Sequence, residues 1–354
     1  MEKFDLRAKR PLIIAGPCSA ETEEQTIETC VEVAATGMVD VLRAGIWKPR
    51  TNPGSFEGVG LKGLAWMNRA RDLTGLPIGV EVATAAHAQA ALEFGVDVLW
   101  IGARTTGNPF SVQEIADTLK GANVTVLVKN PMNPDIDLWS GAVKRIGNAG
   151  IKDIGLIHRG FSAYGASLYR NNPMWHLALE MRNRHQELPM ICDPSHIAGN
   201  REYLQEISQK AADLFYDGLI VESHICPDCA WSDASQQLIP ADLKKMLGSI
   251  VWRQSTTDSP EYQKALEKMR REIDQIDSEL FELLGKRMKV AEGIGRVKRN
   301  NNVAILQGGR WNSIVDKVVS QSQKLGLSEE FLKTVLEAIH IESINRQNDV
   351  MNKD

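Results

Sequence analysis

Three cations, Arg43, Lys48 and Arg50, crowd the short stretch 42–51, which Gly45 and Pro49 bend. Charges that close repel unless something negative sits among them. A basic surface turn is the simpler account of this stretch taken alone, but basic residues recur at Arg104, Lys129 and Arg159, each after a β-branched run. A second chemical set is scattered in the same way. Cys18, His196, Glu222 and Asp233 offer a thiolate, an imidazole and two carboxylates. That mixture suits a divalent transition ion such as manganese, iron, cobalt or zinc, and differs from the cysteine-rich set of a closed structural zinc site. Singly, Cys18 could be a small buried residue and His196 a structural histidine.

The elements that must position these residues repeat one phrase: a β-branched run, a polar or glycine-marked turn, then a helical stretch. The runs fall at 11–15, 39–44, 78–82, 96–101, 124–128, 154–157, 189–192 and 218–221. Eight β-α units over roughly 240 residues predict a (β/α)₈ TIM barrel. An open doubly wound sheet usually carries a glycine-rich fingerprint after its first strand, and none is present. Barrel chemistry sits at the C-terminal strand ends, and those ends carry both sets. Cys18 follows the first strand, and residues 43–51 follow the second. Gly102-Ala103-Arg104 follows the fourth, Lys129 the fifth, Arg159 the sixth, His196 the seventh and Glu222 the eighth, with Asp233 beyond. Guanidinium forks hold phosphate and carboxylate bidentately, each charge-assisted bond contributing roughly 1.5–3 kcal/mol. So many cations call for more than one anionic substrate. Beside a Lewis-acid metal, the reaction class is the joining of a phosphorylated nucleophile to a carbonyl compound.

The 354 residues allow one large and one small domain. A net charge of -4 and a pI near 6.0 argue against nucleic acid as a partner. No apolar run reaches spanning length and residues 1–10 lack a signal-peptide core, so the expected location is the cytoplasm. Five cysteines, an odd number, fit reduced thiols better than a disulfide framework. Cys226-Pro227-Asp228-Cys229 is a lone CxxC with no second pair to complete a zinc site. Its readings are a redox pair or a structural accident, and oxidation of its thiols or their exchange with Cys18 would be a route to inactivation.

The phrases GPCSAE, LRAGIWKPRT, GVEVAT, IGART, VLVKN, HRG, DPSH, VESH and SDASQQ resemble the type I 3-deoxy-D-arabino-heptulosonate 7-phosphate (DAHP) synthases of the compact β subtype, over about residues 10–250. The resemblance implies condensation of phosphoenolpyruvate with erythrose 4-phosphate, the first step of the shikimate pathway, with a divalent metal, manganese first. It implies Cys18, His196, Glu222 and Asp233 as metal ligands and Arg43, Lys48, Ala103, Arg104, Lys129 and Arg159 around phosphoenolpyruvate. Lys48-Pro49-Arg50-Thr51 becomes the erythrose 4-phosphate loop, with Lys48 shared and catalytic. The related 3-deoxy-octulosonate 8-phosphate synthases resemble this barrel too, but carry Lys-Ala-Asn in the sugar loop.

From residue 254 the β-α rhythm stops. The expected partition is a barrel at 1–253, a linker at 254–260 and an all-α three-helix domain at 261–354. Ser259-Pro260 opens a helix to about 299, roughly 60 Å long. Its apolar seam runs Leu266, Met269, Ile273, Ile276, Leu280, Leu283, Val290, Ile294, Val297, with Arg287 at the missing position. One helix cannot bury that seam, so an intertwined homodimer is expected. Two further helices are expected at 310–325 and 328–350. A polar residue fixing register in a coil accounts for Arg287, and so does a cationic pocket for a dianion. The tail resembles the all-helical chorismate mutases over 262–350, which implies Arg270, Arg287, Lys298, Arg310, Ser343 and Gln347 as chorismate-binding residues. Lys298 and Gln347 would be catalytic, with Arg270 reaching the partner subunit's site. That family usually has acidic residues where Gln307 and Trp311 stand. A non-catalytic sensor of chorismate or prephenate, feeding back on the synthase, and a dimerisation coil are the alternatives.

Overall fold

Alternation along the strands decides what reaches the barrel mouth. A computed structural model describes residues 4–48, 54–165, 168–306 and 308–352, without the side chains of 308–312. Pro49, Arg50, Thr51 and Gln307, and the side chains of Arg310 and Trp311, therefore lie outside the described residues. The strands are β1 (Leu12–Gly16), β2 (Val41–Ala44), β3 (Ile78–Val82), β4 (Val98–Ile101), β5 (Thr125–Lys129), β6 (Ile154–His158), β7 (Met190–Cys192) and β8 (Gly218–Glu222). They close in sequence order into a parallel barrel, β1 pairing with β8.

Successive side chains point to opposite faces of a strand. Leu12, Ile14, Val41, Trp100, Leu127 and Ile220 point inward to one interior cluster that Leu6 joins. Ile13, Leu42, Leu99, Val128 and Leu156 point outward into the larger core beneath the helices. Two residues past the last inward apolar side chain, the same alternation turns Arg43, Lys129, Arg159, Asp193 and Glu222 toward the mouth. Glu81 follows inward Gly79 in the same phase.

The fully buried His158, at the end of β6, faces outward among Trp175, Tyr216 and Phe161. The Pro173 carbonyl can only accept, so Nε2–H donates to it at 2.6 Å. Nδ1 is left to accept from the Tyr216 hydroxyl at 2.9 Å.

The chain forms two compact units, residues 1–255 and 256–354. In the second, Ser259 caps a helix over Pro260–Asn300, its hydroxyl accepting from the Tyr262 N–H. Among the described residues three more helices follow, Gly308–Val319, Ser322–Leu325 and Glu329–Asn352. The single helix expected at 310–325 is thus two. Gln321 N–H bonds back to Val318 O rather than four residues back, and the Ser320 hydroxyl takes Lys317 O, which tightens and ends the turn. Buried Met288, Ala291 and Gly295 of the long helix face Leu332, Ser343 and Gln347 of the last. A Cβ on Gly295 would lie 3.1 Å from Gln347 Cα, so glycine sets how closely these helices approach.

Burial lowers the His158 pKa to about 4. The unfolded chain then binds a proton that the folded chain refuses between the free value, about 6.5, and 4. Stability present above pH 6.5 is lost as pH falls toward 4, by up to about 3 kcal/mol from this group. Urea titrations at pH 7 and pH 5 should show that loss, and His158→Gln should shrink it.

Candidate functional site

The β1 and β2 turns interlock at the mouth. Gly45 N–H donates to Cys18 O and Ala20 N–H to Gly45 O. A Cβ on Gly45 would stand 2.5 Å from the Cys18 carbonyl, so only glycine fits. This seats the Cys18 sulfur, fully buried, 2.6 Å from Lys48 Nζ and 3.2 Å from Asp233 Oδ2. Burial first, then the Glu222 charge, push the thiol up to about 12, against the pull of Lys48.

Single donor atoms of Cys18, Glu222 and Asp233 lie within 4.8 Å of one another. Glu222 Oε1 is buried without a hydrogen-bond partner, while Oε2 accepts from Gln236 at 2.6 Å. A thiol and two carboxylates with an unsatisfied buried oxygen fit a divalent ion. His196 stands beside this trio, its Nε2 3.8 Å from Glu222 Oε1. Its Nδ1 bonds to the Asp193 carboxylate at 2.9 Å, which leaves Nε2 as its free donor atom.

The cations are held by the same carboxylates. Arg43, buried over the Trp100 ring, reaches Glu222 Oε1 at 3.3 Å, with Nε and Nη1 unpartnered. Lys129 Nζ meets Asp193 Oδ2 at 2.7 Å. Arg159, buried, donates to Asn171 Oδ1 at 2.7 Å, and burial lowers its pKa to about 10. Arg104 and Ala103 sit on the first turn after β4, where Arg104 is exposed. Burial alone would raise the Asp193 carboxyl, but His196 and Lys129 hold it well below the usual range. For Glu222 burial also raises, and His196, Arg43 and Lys48 outweigh it.

In the helical unit, Arg287, Lys298, Ser343 and Gln347 line one cavity of about 510 Å³ with Val290, Ile294 and His340. Arg287 Nη1 donates to the Ser343 hydroxyl and Lys298 Nζ to Ile305 O. Gln347 Nε2 bonds Ser343 O, leaving Oε1 buried without a partner. Arg270 is elsewhere, exposed on the first half of the long helix, about 25 Å from Arg287.

Residues 7–258 match the DAHP synthetase I family. The chain belongs to that family. Residues 269–348 match chorismate mutase type II. The chain is 34% identical over 226 residues to the phospho-2-dehydro-3-deoxyheptonate aldolase of Thermotoga maritima, covering 64% of either protein. It therefore spans just under two thirds of that relative's length. The 2-dehydro-3-deoxyphosphooctonate aldolase of Trichlorobacter lovleyi is 26% identical over 257 residues, 67% of this chain and 89% of that protein. The crystal structure of the Thermotoga maritima phospho-2-dehydro-3-deoxyheptonate aldolase (DAHP synthase) superposes with a TM-score of 0.60 at 33% identity over 67% of each chain.

Glu81, Asp193 and Gln236 lie within the phrases GVEVAT, DPSH and SDASQQ at strand ends and the loop beyond, but were given no role, and Arg170 was not singled out. Asp193 and Glu81 were findable, since each continues the inward alternation of its strand. Arg170, which binds Asp233 Oδ1 at 2.8 Å, comes from the loop after β6 and carries no such signal. The expectation of five reduced thiols is corrected. The turn at Pro227–Cys229 brings the Cα atoms of Cys226 and Cys229 to 5.3 Å, and they form a disulfide, while Cys18, Cys30 and Cys192 are free and buried.

Asp193→Asn should leave buried Lys129 without its counter-charge and cost about 3 kcal/mol or more in urea unfolding. Asp213→Asn, which breaks the exposed pair with Arg253, should cost under about 1 kcal/mol.

Proposed function

We propose that the barrel condenses phosphoenolpyruvate with erythrose 4-phosphate to give DAHP and phosphate. The observation that carries this is the meeting, at one mouth, of the Cys18–Glu222–Asp233 donor trio with Lys48, Arg43, Lys129 and Arg159. Cys18, His196, Glu222 and Asp233 would hold a divalent ion, manganese in the first instance, with iron, cobalt or zinc as substitutes. Bound there, the ion supplies a Lewis acid for the sugar aldehyde. Arg43, Lys129, Arg159, Arg104 and the Ala103 backbone take the phosphate and carboxylate of phosphoenolpyruvate, and Lys48 reaches between the two substrates. Pro49, Arg50 and Thr51 continue from Lys48 as the sugar-phosphate loop, and Lys-Pro-Arg-Thr there favours the four-carbon sugar. Holding two anions against their mutual repulsion, with carbon 3 of the enol facing the aldehyde, is the chain's share of catalysis.

In the helical unit the reading is rearrangement of chorismate to prephenate. Arg287 and Ser343 hold the carboxylates with Arg310, while Lys298 and Gln347 donate to the ether oxygen as charge grows there. The seam residues Met269, Ile273, Ile276, Leu280 and Leu283 are all half or more exposed, and no residue from 260 to 283 is buried within the described chain. A second copy of the chain covers that face in our reading. Arg270 then enters the partner's cavity, and prephenate or chorismate bound in the unit regulates the synthase. Among the described residues no helix is long and apolar enough to cross a membrane, and the cytoplasm is the proposed location.

Chelator-treated protein should consume phosphoenolpyruvate only after Mn²⁺ is restored and only with erythrose 4-phosphate. Consumption with arabinose 5-phosphate would mean the eight-carbon synthase reading. Consumption with neither would remove the assignment. The same protein should turn over chorismate, and Lys298→Ala should lower that rate by about 100-fold or more.

A further inference from the structure

The described residues on the two sides of 49–53 are anchored differently. On the descending arm, the Trp47 ring stacks on His87 with centroids 4.2 Å apart and planes 6° from parallel. The arms then pair, Lys48 N–H donating to Glu57 O at 2.9 Å and Gly60 N–H to Ile46 O at 3.0 Å. On the returning arm, Phe56 meets the Trp231 ring edge-on, with centroids 5.2 Å apart at 87°. Trp231 belongs to the loop after β8 and stands two residues before Asp233. Although the residue is 57% exposed, its backbone is held, the main-chain N–H donating to Glu21 Oε1 at 2.7 Å. Next in sequence, the Ser232 hydroxyl bonds that of Ser19, adjacent to Cys18. The Phe56–Trp231 contact therefore joins residues 56–57, where Glu57 O accepts from Lys48 N–H, to the segment that ends at Asp233, and Lys48 itself rests on the Cys18 sulfur.

We propose that Phe56 and Trp231 are positioning residues that couple the sugar-phosphate loop to the carboxylate loop. Sugar phosphate and divalent ion then bind each more tightly in the other's presence, since a coupling between two sites is reciprocal. This rests on the synthase reading above. Neither ring touches the reacting atoms. Their contact fixes how far the returning arm stands from Asp233, so its loss is felt in the binding of the sugar phosphate rather than in the chemical step. An edge-on aromatic pair of this geometry corresponds to a change of about fivefold in an equilibrium.

The test uses the full chain with Phe56→Leu, Trp231→Leu, the double variant and Trp231→Phe. Each leucine variant should raise KM for erythrose 4-phosphate about fivefold with kcat and KM for phosphoenolpyruvate little changed. The double variant should be no worse than either single, and Trp231→Phe should restore most of the affinity. Without turnover, the electron paramagnetic resonance signal of free Mn²⁺ reports the ion's Kd. Adding erythrose 4-phosphate alone should tighten it several-fold in the unmodified chain and less than about twofold in either leucine variant. Unchanged KM values, effects that multiply in the double variant, or a Mn²⁺ response that survives the substitutions would each overturn the coupling. If the unmodified chain consumed no phosphoenolpyruvate, the synthase reading would fall and the inference with it. An active chain with unaffected variants would sink the inference alone.

Discussion

The buried pairs Arg43–Glu222 and Lys129–Asp193 carry the organisation of the barrel mouth, because a guanidinium or ammonium taken out of water needs a carboxylate beside it. The two pairs are joined through His196, which touches Asp193 with Nδ1 and approaches Glu222 with Nε2. Five charged or titratable groups thus form one chain across the barrel, each lowering the cost of burying the next. Among the described residues Arg43 uses one arm of its fork on Glu222 and leaves Nε and Nη1 without a hydrogen-bond partner, and the Glu222 Oε1 that it faces accepts no hydrogen bond. The network balances its buried charges while leaving these atoms without hydrogen-bond partners.

That incompleteness is what a ligand would fill. Arg43 donors without a hydrogen-bond partner suit an anion, and the Glu222 Oε1 that accepts no hydrogen bond, beside Cys18 and Asp233, suits a cation. Donors for an anion and ligands for a cation thus stand side by side at one mouth. The Cys18 thiol, pushed up by burial, gains a reason to ionise only when a positive ion joins Lys48 beside it.

Much of this was legible in the sequence. The eight β-branched runs fall on the eight strands, because buried parallel strands read as near-continuous apolar runs. Their ends bear the residues named from motif position. Asp193 and Glu81 were legible in principle, by counting two residues past the last inward side chain. Arg170 was not, since a loop has no period to count. The Cys226–Cys229 bond went against the expectation of reduced thiols, although a redox pair was one reading of the CxxC, because composition says nothing of a turn that folds two cysteines together. In the tail, the break at Ser320–Gln321 escaped because both residues fit a helix and only their hydrogen bonds end it. Arg287 was found as the polar interruption of an apolar seam, a signal that survives because polar groups on a packed face need partners, while Ser343 and Gln347 were given their roles by the resemblance.

The most direct test of the shared mouth is the distance between the metal and the phosphorylated substrate. Paramagnetic relaxation of the phosphoenolpyruvate phosphorus by Mn²⁺, with no sugar added, measures it. The account predicts strong relaxation in the unmodified chain and its loss in Cys18→Ser, where the substrate still binds to Arg43, Lys129 and Arg159. Relaxation that is absent in the unmodified chain, or unaltered in Cys18→Ser, would contradict it.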